Sequence, residues 1–491
     1  MDIVEAGARL LQAGLGNLAA YLAAHVLLCL VPAFFIAGAM AALIPKESVT
    51  RFLGRKAPRY VSYPAAALAG SVLAVCSCTI VPLFAGIYKK GAGIGPAITF
   101  LFFAPAGNIL ALVYTGGVIG ADLAFARLFL SLAFGVGIGM IMALIFRRSD
   151  ALHDQQTEDL FAGRAGMKRG ALILLVLLVA LLLSGTLKIG LLTNAYGEVT
   201  LPIAGLDRFQ EALYRLVPFD STRGEEGVTA QGAVLIGLLA LIGVTAWWGL
   251  NNVLEGVNRW TWIALGLVAL TLLVAAIGME PVAGGLSLRF TGKFFGVVVA
   301  LAAMWAVARK YLSETELRNW LWESWRFVKQ IFPLLIVGVF AVGVIRQLIR
   351  PEWIETLAGE NTLLGNLGGV VFGVFMYFPT LVEVPIANMF LSLGMHRGPL
   401  LAYLMADPEL SLQSILIVSA IIGKVKSWTY VVWVALFSTL AGLLYGLWVD
   451  GASPWLILGY LTAFLAVLAA GLWLAGRRSA AQPRPVPTLV D

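Results

Sequence analysis

Two cysteines one residue apart are the sharpest candidate for chemistry in this sequence. Cys76 and Cys78 lie in an apolar stretch shortly before Pro82, a residue type that interrupts helices. A thiol near the positive end of a helix dipole ionises more readily, and thiolates are soft ligands for Cu(I), Zn or trivalent metalloids. The spacing therefore predicts a soft-ligand substrate site, with simple apolar packing of the two cysteines as the alternative.

A carboxylate within a long apolar segment is the second candidate. Glu383 stands two residues before Pro385, and an ionisable side chain at membrane depth usually marks a substrate, ion or proton pathway. The alternative is a position near the interface, from which the carboxylate reaches water. Asp407 and Glu409 flank Pro408. They could bind a cation or a proton for coupling, or could shape a wet vestibule that gives access to the site.

Two asparagines supply neutral hydrogen-bonding groups near the same prolines. Asn108 and Asn388 could contact a substrate, or could satisfy the backbone of an interrupted helix. We predict no metal ligand set, no cofactor and no catalytic residue. The chain is therefore not expected to be an enzyme.

The composition shows which kind of element must position these side chains. Of the 491 residues, 60% are hydrophobic and 12% are charged, whereas a soluble domain carries roughly 25% charged residues. Thirteen apolar segments approach the ~20 residues that cross a bilayer. We predict an all-α integral membrane protein that crosses the cytoplasmic membrane many times. The net charge of +7 is better explained by basic cytoplasmic loops than by nucleic-acid binding.

Glycines and prolines recur at a constant spacing in the two ends of the chain. Duplicated halves with broken hydrophobic segments frame the substrate site of many secondary transporters. The same spacing makes Glu383 the equivalent of Ile80, so we expect Cys76, Cys78 and Glu383 to face one another between the halves. The residues that recur 303 positions later are Pro82, Gly91, Gly95, Pro96, Pro105, Gly120 and Gly139, which correspond to Pro385, Gly394, Gly398, Pro399, Pro408, Gly423 and Gly442.

The repeat divides the chain into blocks. We predict a first transmembrane repeat with a trailing helix over residues 17–191. A polar external loop and a three-helix insertion follow over 192–310. The second repeat and its trailing helix cover 318–477, and residues 478–491 form a disordered cytoplasmic tail.

Four prolines mark the expected helix breaks. Pro82 and Pro105 in the first half, with Pro385 and Pro408 in the second, should make the helices discontinuous or re-entrant. Basic clusters follow the first and fourth apolar segments. If both clusters are cytoplasmic, the repeats are inverted; if every segment crosses, the repeats are parallel. We favour the inverted arrangement because it satisfies more of the basic clusters.

Motifs in both halves resemble the bacterial predicted-permease family that includes the organoarsenical efflux permeases. The likeness covers roughly residues 20–148 and 325–449 and omits the middle block. In the first half it rests on Cys76-Ser77-Cys78, Pro82, Lys89-Lys90-Gly91-Ala92, Gly95-Pro96-Ala97 and Ala104-Pro105-Ala106. In the second it rests on Glu383-Val384-Pro385, Gly394-Met395, Gly398-Pro399, the run from Ala406 to Leu412 and Gly423-Lys424-Val425-Lys426. The resemblance implies a multispanning permease whose relatives export trivalent organoarsenicals, with membrane cysteines important for selectivity.

We therefore predict a secondary transporter that exports a soft or thiol-reactive solute, such as a trivalent metalloid. No GxxxxGK[ST] motif occurs, so we expect the proton gradient to drive export. The expected partners are the lipid bilayer, the solute and a proton, and the sequence leaves homo-oligomers open. The alternatives are a permease for another small solute, an ion channel or assembly scaffold, and a membrane thiol oxidoreductase. The oxidoreductase is disfavoured because a disulfide across one residue is strained and the chain has no second cysteine pair.

Overall fold

A computed structural model describes most of the chain. The described residues are 3–24, 30–44, 46–55, 57–73, 77–152, 168–186, 190–202, 205–217, 219–220, 225–282, 285–346, 348, 352–375 and 383–481. Cys76 lies outside them, as does the Cys78 side chain. Of the predicted tail, residues 478–481 continue the last helix, and residues 482–491 lie outside the described part.

The first half of the chain is helical. It consists of α1 (Ile3–Ala24), α2 (Val31–Leu43), α3 (Lys46–Leu53), α4 (Arg59–Leu73), α5 (Ser77–Lys89), α6 (Ile94–Ala106), α7 (Ile109–Val118), α8 (Ala121–Ile145) and α9 (Arg169–Thr186).

The middle block combines three long helices with a small three-stranded sheet and a separate pair of two-residue strands. Its elements are α10 (Gly190–Thr193), β1 (Ala195–Leu201), α11 (Leu206–Leu216), β2 (Phe219–Asp220), β3 (Glu225–Glu226), α12 (Ala230–Leu250), α13 (Arg259–Ala276), β4 (Ile277–Val282), β5 (Gly285–Thr291) and α14 (Gly292–Tyr311). In the small sheet the strands pair antiparallel in the order β1-β5-β4, with Leu288 opposite both Val199 and Met279, and β2 pairs antiparallel with β3. The sequence analysis did not predict these strands, because they are short and lie between strongly apolar helices.

The second half repeats the helical pattern of the first. Its elements are α15 (Glu314–Arg346), α16 (Glu352–Ala358), α17 (Leu363–Phe375), α18 (Glu383–Ser392), α19 (Arg397–Leu410), α20 (Leu412–Ile422), α21 (Lys424–Val449) and α22 (Pro454–Ala481). Helices α6, α7 and α8 begin 303 positions before α19, α20 and α21. The same pairs pack together in each half, with α6 between α4 and α8 and α19 between α17 and α21.

Repeated glycines fix the turns of the two halves. Gly91 and Gly394 have φ of 85° and 91°, and Gly120 and Gly423, which precede α8 and α21, have φ of 147° and 89°. These backbone conformations are open to glycine and strained for residues with a Cβ atom. These four recurring glycines therefore mark turns whose backbone conformation is easily adopted only by glycine.

The helices have the lengths that a membrane requires. Within the described residues, eight helical stretches are long and apolar enough to cross a bilayer, or nine if the bent pair α19–α20 is one span. Four shorter apolar helices account for the other predicted segments. The prediction of an all-α integral membrane protein is confirmed.

The four predicted helix breaks have different outcomes. α6 ends at Ala106, one residue after Pro105. α19 ends two residues after Pro408, and the chain bends by 46° into α20. Pro385 is the third residue of α18, where a missing N–H disturbs no helical hydrogen bond. Pro82 lies inside α5, which continues to Lys89, so this proline does not itself end a helix.

Candidate functional site

A buried ion pair joins the two halves. Arg127 Nη2 on α8 lies 2.5 Å from Glu383 Oε1, at the start of α18, and both side chains are fully buried. Charges removed from water cost several kcal/mol each unless they are paired and hydrogen-bonded. The pair is therefore a point where one half of the chain depends on the other.

The end of α6 helps to hold the arginine. Arg127 Nε donates to the carbonyl oxygen of Ala106 at 3.1 Å, and Nη1 donates to Thr115 Oγ1 at 3.4 Å. Ala106 is the last residue of α6, so its carbonyl has no partner within that helix. The break that follows Pro105 thus supplies an acceptor for a buried guanidinium.

The second half places different side chains at the equivalent positions. Glu409 and Tyr430 lie 303 positions after Ala106 and Arg127. Tyr430 donates its hydroxyl to Glu409 Oε2 at 2.8 Å, and both side chains are buried. Glu409 Oε1 has no hydrogen-bond partner within the described residues. At equivalent positions, a guanidinium therefore donates to a backbone carbonyl in the first half, and a hydroxyl donates to a carboxylate in the second.

The two arrangements form one electrostatic site. Glu409 is close enough to interact with both Glu383 and Arg127. Asp407 is fully buried on the same helix as Glu409. Its backbone packs closely on α17, where a Cβ atom added to Gly373 would lie 2.8 Å from the Asp407 nitrogen. The two halves thus bring Glu383, Glu409 and Arg127 together in the interior of the protein, whereas Asp407 is buried where α19 packs on α17.

The other predicted site residues lie in several places. Asn108 is buried at the junction between α6 and α7, next to the helix end that holds Arg127. Asn388 is exposed on α18, one to two turns beyond Glu383. Cys76 and the side chain of Cys78 lie outside the described residues, so their predicted position opposite Glu383 stays a prediction.

Arg127 is the site residue that the sequence analysis missed. It was read as part of an apolar segment, whereas an ionisable residue at membrane depth is by default a candidate for function. Its equivalence to Tyr430 in the repeat would also have pointed to a position that is polar in both halves. Within the part of the chain that the structure describes, no group of three or more His, Cys, Asp or Glu residues could hold a metal ion.

Comparison with known proteins identifies the family. Residues 12–447 match the predicted permease family ArsP_1. The chain belongs to this family. The permease is 30% identical over 448 residues to UPF0718 protein MJ0584 of Methanocaldococcus jannaschii, which covers 91% of this chain and 99% of that relative. It is also 27% identical over 124 residues to UPF0718 protein YraQ of Escherichia coli, 25% of this chain and 35% of that relative. No solved structure matches.

The family match confirms the resemblance that the paired motifs indicated, and it makes the chain a membrane permease. Two further features also involve both halves. At one, Asp122 binds Arg397 at 3.0 Å and accepts a hydrogen bond of 2.7 Å from Tyr445. At the other, the permease has a cavity of about 430 Å³ whose lining includes Lys89 and Lys426.

Proposed function

We propose that the permease is a secondary transporter whose solute passes the site formed by Arg127 and Glu383. The observation that carries the proposal is the fully buried ion pair between α8 and α18, one helix from each half. A buried charge that loses its partner is costly. Movement of one half against the other must therefore be matched by a proton or a solute that takes the place of the lost partner.

We further propose that the two halves are inverted repeats. Asp122, near the start of α8, contacts Tyr445, near the end of α21. Lys426, near the start of α21, lines the same cavity as Ser149, which follows the end of α8. These contacts favour opposite directions for the two equivalent helices. Exchanged pairs add support, because α5 packs on α20 and α18 packs on α7.

Single added cysteines test the inverted arrangement. We expect Arg148→Cys and Val425→Cys to react with a membrane-impermeant maleimide on one side, and Ala121→Cys and Asp450→Cys on the other, because all four positions are exposed near helix ends. Labelling of intact cells and of everted vesicles distinguishes the sides, with the parental chain as control. Parallel repeats would instead place Ala121→Cys and Val425→Cys on the same side. The positive-inside rule predicts that the side of Arg148 is cytoplasmic.

We also propose that the solute is soft or thiol-reactive, such as a trivalent organoarsenical, and that the permease exports it across the cytoplasmic membrane. The support is the spacing of Cys76 and Cys78 in the sequence, within the apolar segment that the repeat relates to the one with Glu383. Thiolates bind trivalent metalloids well. Proton coupling is the simplest source of energy, and Glu383, Asp407 and Glu409 are the buried carboxylates that could carry the proton.

Uptake into everted vesicles across a panel of metalloids and organometalloids tests the solute. We expect a trivalent organoarsenical to accumulate when a proton gradient is imposed, and accumulation to fall about tenfold or more in Cys76→Ser/Cys78→Ser because both soft ligands are lost. Cys29→Ser is the control for an apolar-segment cysteine outside the pair. Normal transport by the double variant, or no transport of any panel member, would contradict the soft-solute proposal. Uptake that does not saturate and ignores the proton gradient would indicate a channel.

A further inference from the structure

The cavity between the two halves has a consistent chemical character. It has a volume of about 430 Å³, within the range of small-molecule sites. The first half contributes Tyr88, Lys89 and Ser149, and the second contributes Gln330 and Lys426. The remaining lining residues are apolar: Ala85, Leu152, Ile421 and Ile422. Both charged residues in this lining are therefore lysines.

The lysines retain hydrogen-bonding capacity. Lys89 Nζ lies 3.3 Å from Glu323 Oε2 and 4.0 Å from the centre of the Phe327 ring. Lys426 Nζ donates to the Tyr88 hydroxyl at 3.4 Å. An ammonium group carries three N–H donors, so each lysine keeps donors beyond these contacts. Both side chains are partly withdrawn from water, which strengthens their attraction for an anion.

Two neighbouring carboxylates already have partners. Glu323 is shared between Lys89 and Arg326, at 3.3 Å and 3.2 Å. Asp150 lies near Lys426 and accepts a hydrogen bond of 3.0 Å from the backbone nitrogen of Ile94. Neither carboxylate lines the cavity. Exposed Arg147 and Arg148 precede Ser149, and a cleft with one sign of charge concentrates ions of the opposite sign.

We infer that this cavity is a binding site for an anionic solute, held by Lys89 and Lys426. The inference rests on the proposed transport function and adds a charge class to its solute, since the cavity adjoins α5 and α21, one helix from each half. The ligand chemistry is a compact oxyanion group such as a carboxylate, phosphate or sulfonate. Such a group can belong to a soluble molecule or to a lipid headgroup, and we assign it to a soluble molecule because the cavity is walled by both halves.

Protection of the lysines from chemical modification tests the inference. The purified full-length protein, in neutral-lipid nanodiscs, is treated with a water-soluble acetylating ester at constant ionic strength. Inorganic phosphate, sulfate or citrate is present or absent, and mass spectrometry reports each lysine. We expect acetylation of Lys89 and Lys426 to slow by about threefold or more, as for groups that bind an anion directly. Lys424, which is exposed on the same helix and outside the cavity lining, should be unaffected.

Lysine variants and nanodiscs that contain anionic lipid complete the test. Lys89→Gln should remove the protection of Lys426, and Lys426→Gln that of Lys89, whereas Lys424→Gln should leave both protected. No protection by any of the three anions, or equal protection of Lys424, would overturn the inference. Protection that requires anionic lipid in the nanodiscs would assign the site to a headgroup and would also overturn it. Because binding is read without transport, protection in a protein that moves no solute would contradict the transport proposal alone.

Discussion

Replacing Arg127 with methionine while Glu383 remains is expected to damage the protein more than removing both charges. The single change leaves a carboxylate fully buried without its cation, which costs about 3–5 kcal/mol. The double variant Arg127→Met/Glu383→Met leaves an apolar contact of similar volume, and such replacements of buried ion pairs are often neutral for stability. We therefore expect the double variant to recover much of the thermal stability that the single variant loses.

In the double variant, we expect the transport rate to stay low even though stability recovers. If the ion pair is the point where the two halves exchange partners, the double variant should fold and yet transport at least about tenfold more slowly, the equivalent of about 1.4 kcal/mol in the barrier. Thermal unfolding in detergent and proton-driven uptake into vesicles measure the two effects. Recovery of both stability and transport in the double variant would show that the pair is structural only.

An exposed ion pair provides the matched control. Arg289 and Glu280 lie 3.0 Å apart on the small sheet, with side chains 44% and 58% exposed. Exposed pairs contribute at most about 1 kcal/mol, so Arg289→Met should shift the unfolding temperature little. A shift as large as that of Arg127→Met would show that charge loss in general, and not burial, destabilises the protein.

Glu409→Gln is expected to uncouple transport from the proton gradient. The change keeps an oxygen that can accept the hydrogen bond from Tyr430 and removes the group that can gain and lose a proton. If Glu409 carries the coupled proton, proton-driven accumulation should fall about tenfold or more, whereas exchange of solute between equal pools should continue. The measurement compares uptake under an imposed pH gradient with counterflow at uniform pH.

Two further variants help to interpret the effect of Glu409→Gln on transport. Tyr430→Phe removes the donor to Glu409 but leaves the carboxylate, so we expect a few-fold effect on accumulation, in keeping with one lost hydrogen bond of about 1 kcal/mol. Ser438→Ala, at a fully buried position on α21 whose hydroxyl lacks a hydrogen-bond partner within the described residues, is the control and should behave as the parent. Loss of counterflow in Glu409→Gln together with loss of accumulation would assign the carboxylate to the solute path and not to the proton.

The candidate site was only partly predictable. Glu383, Asp407 and Glu409 stand out in a hydropathy reading because carboxylates are rare at membrane depth, and all three are buried in the structure. The same reading passed over Arg127, whose partner is distant in the chain. It also predicts Asn388 as a site residue, and the structure shows that this side chain is exposed on α18. Proximity to a proline indicates where a helix is disturbed, but not which way a nearby side chain faces.

The sequence by itself determined that this protein is a helical membrane permease and that its helix order is duplicated. Those properties are local: hydropathy selects the membrane, glycine permits turns with positive φ, and proline lacks the backbone N–H that a helix interior uses. Only the tertiary structure decided that Arg127 meets Glu383, that Asp122 binds Arg397 and that two lysines share one cavity. Such contacts join residues far apart in the chain, so they depend on how the helices pack. The fully buried charges of Arg127 and Glu383 are tolerated because they are paired.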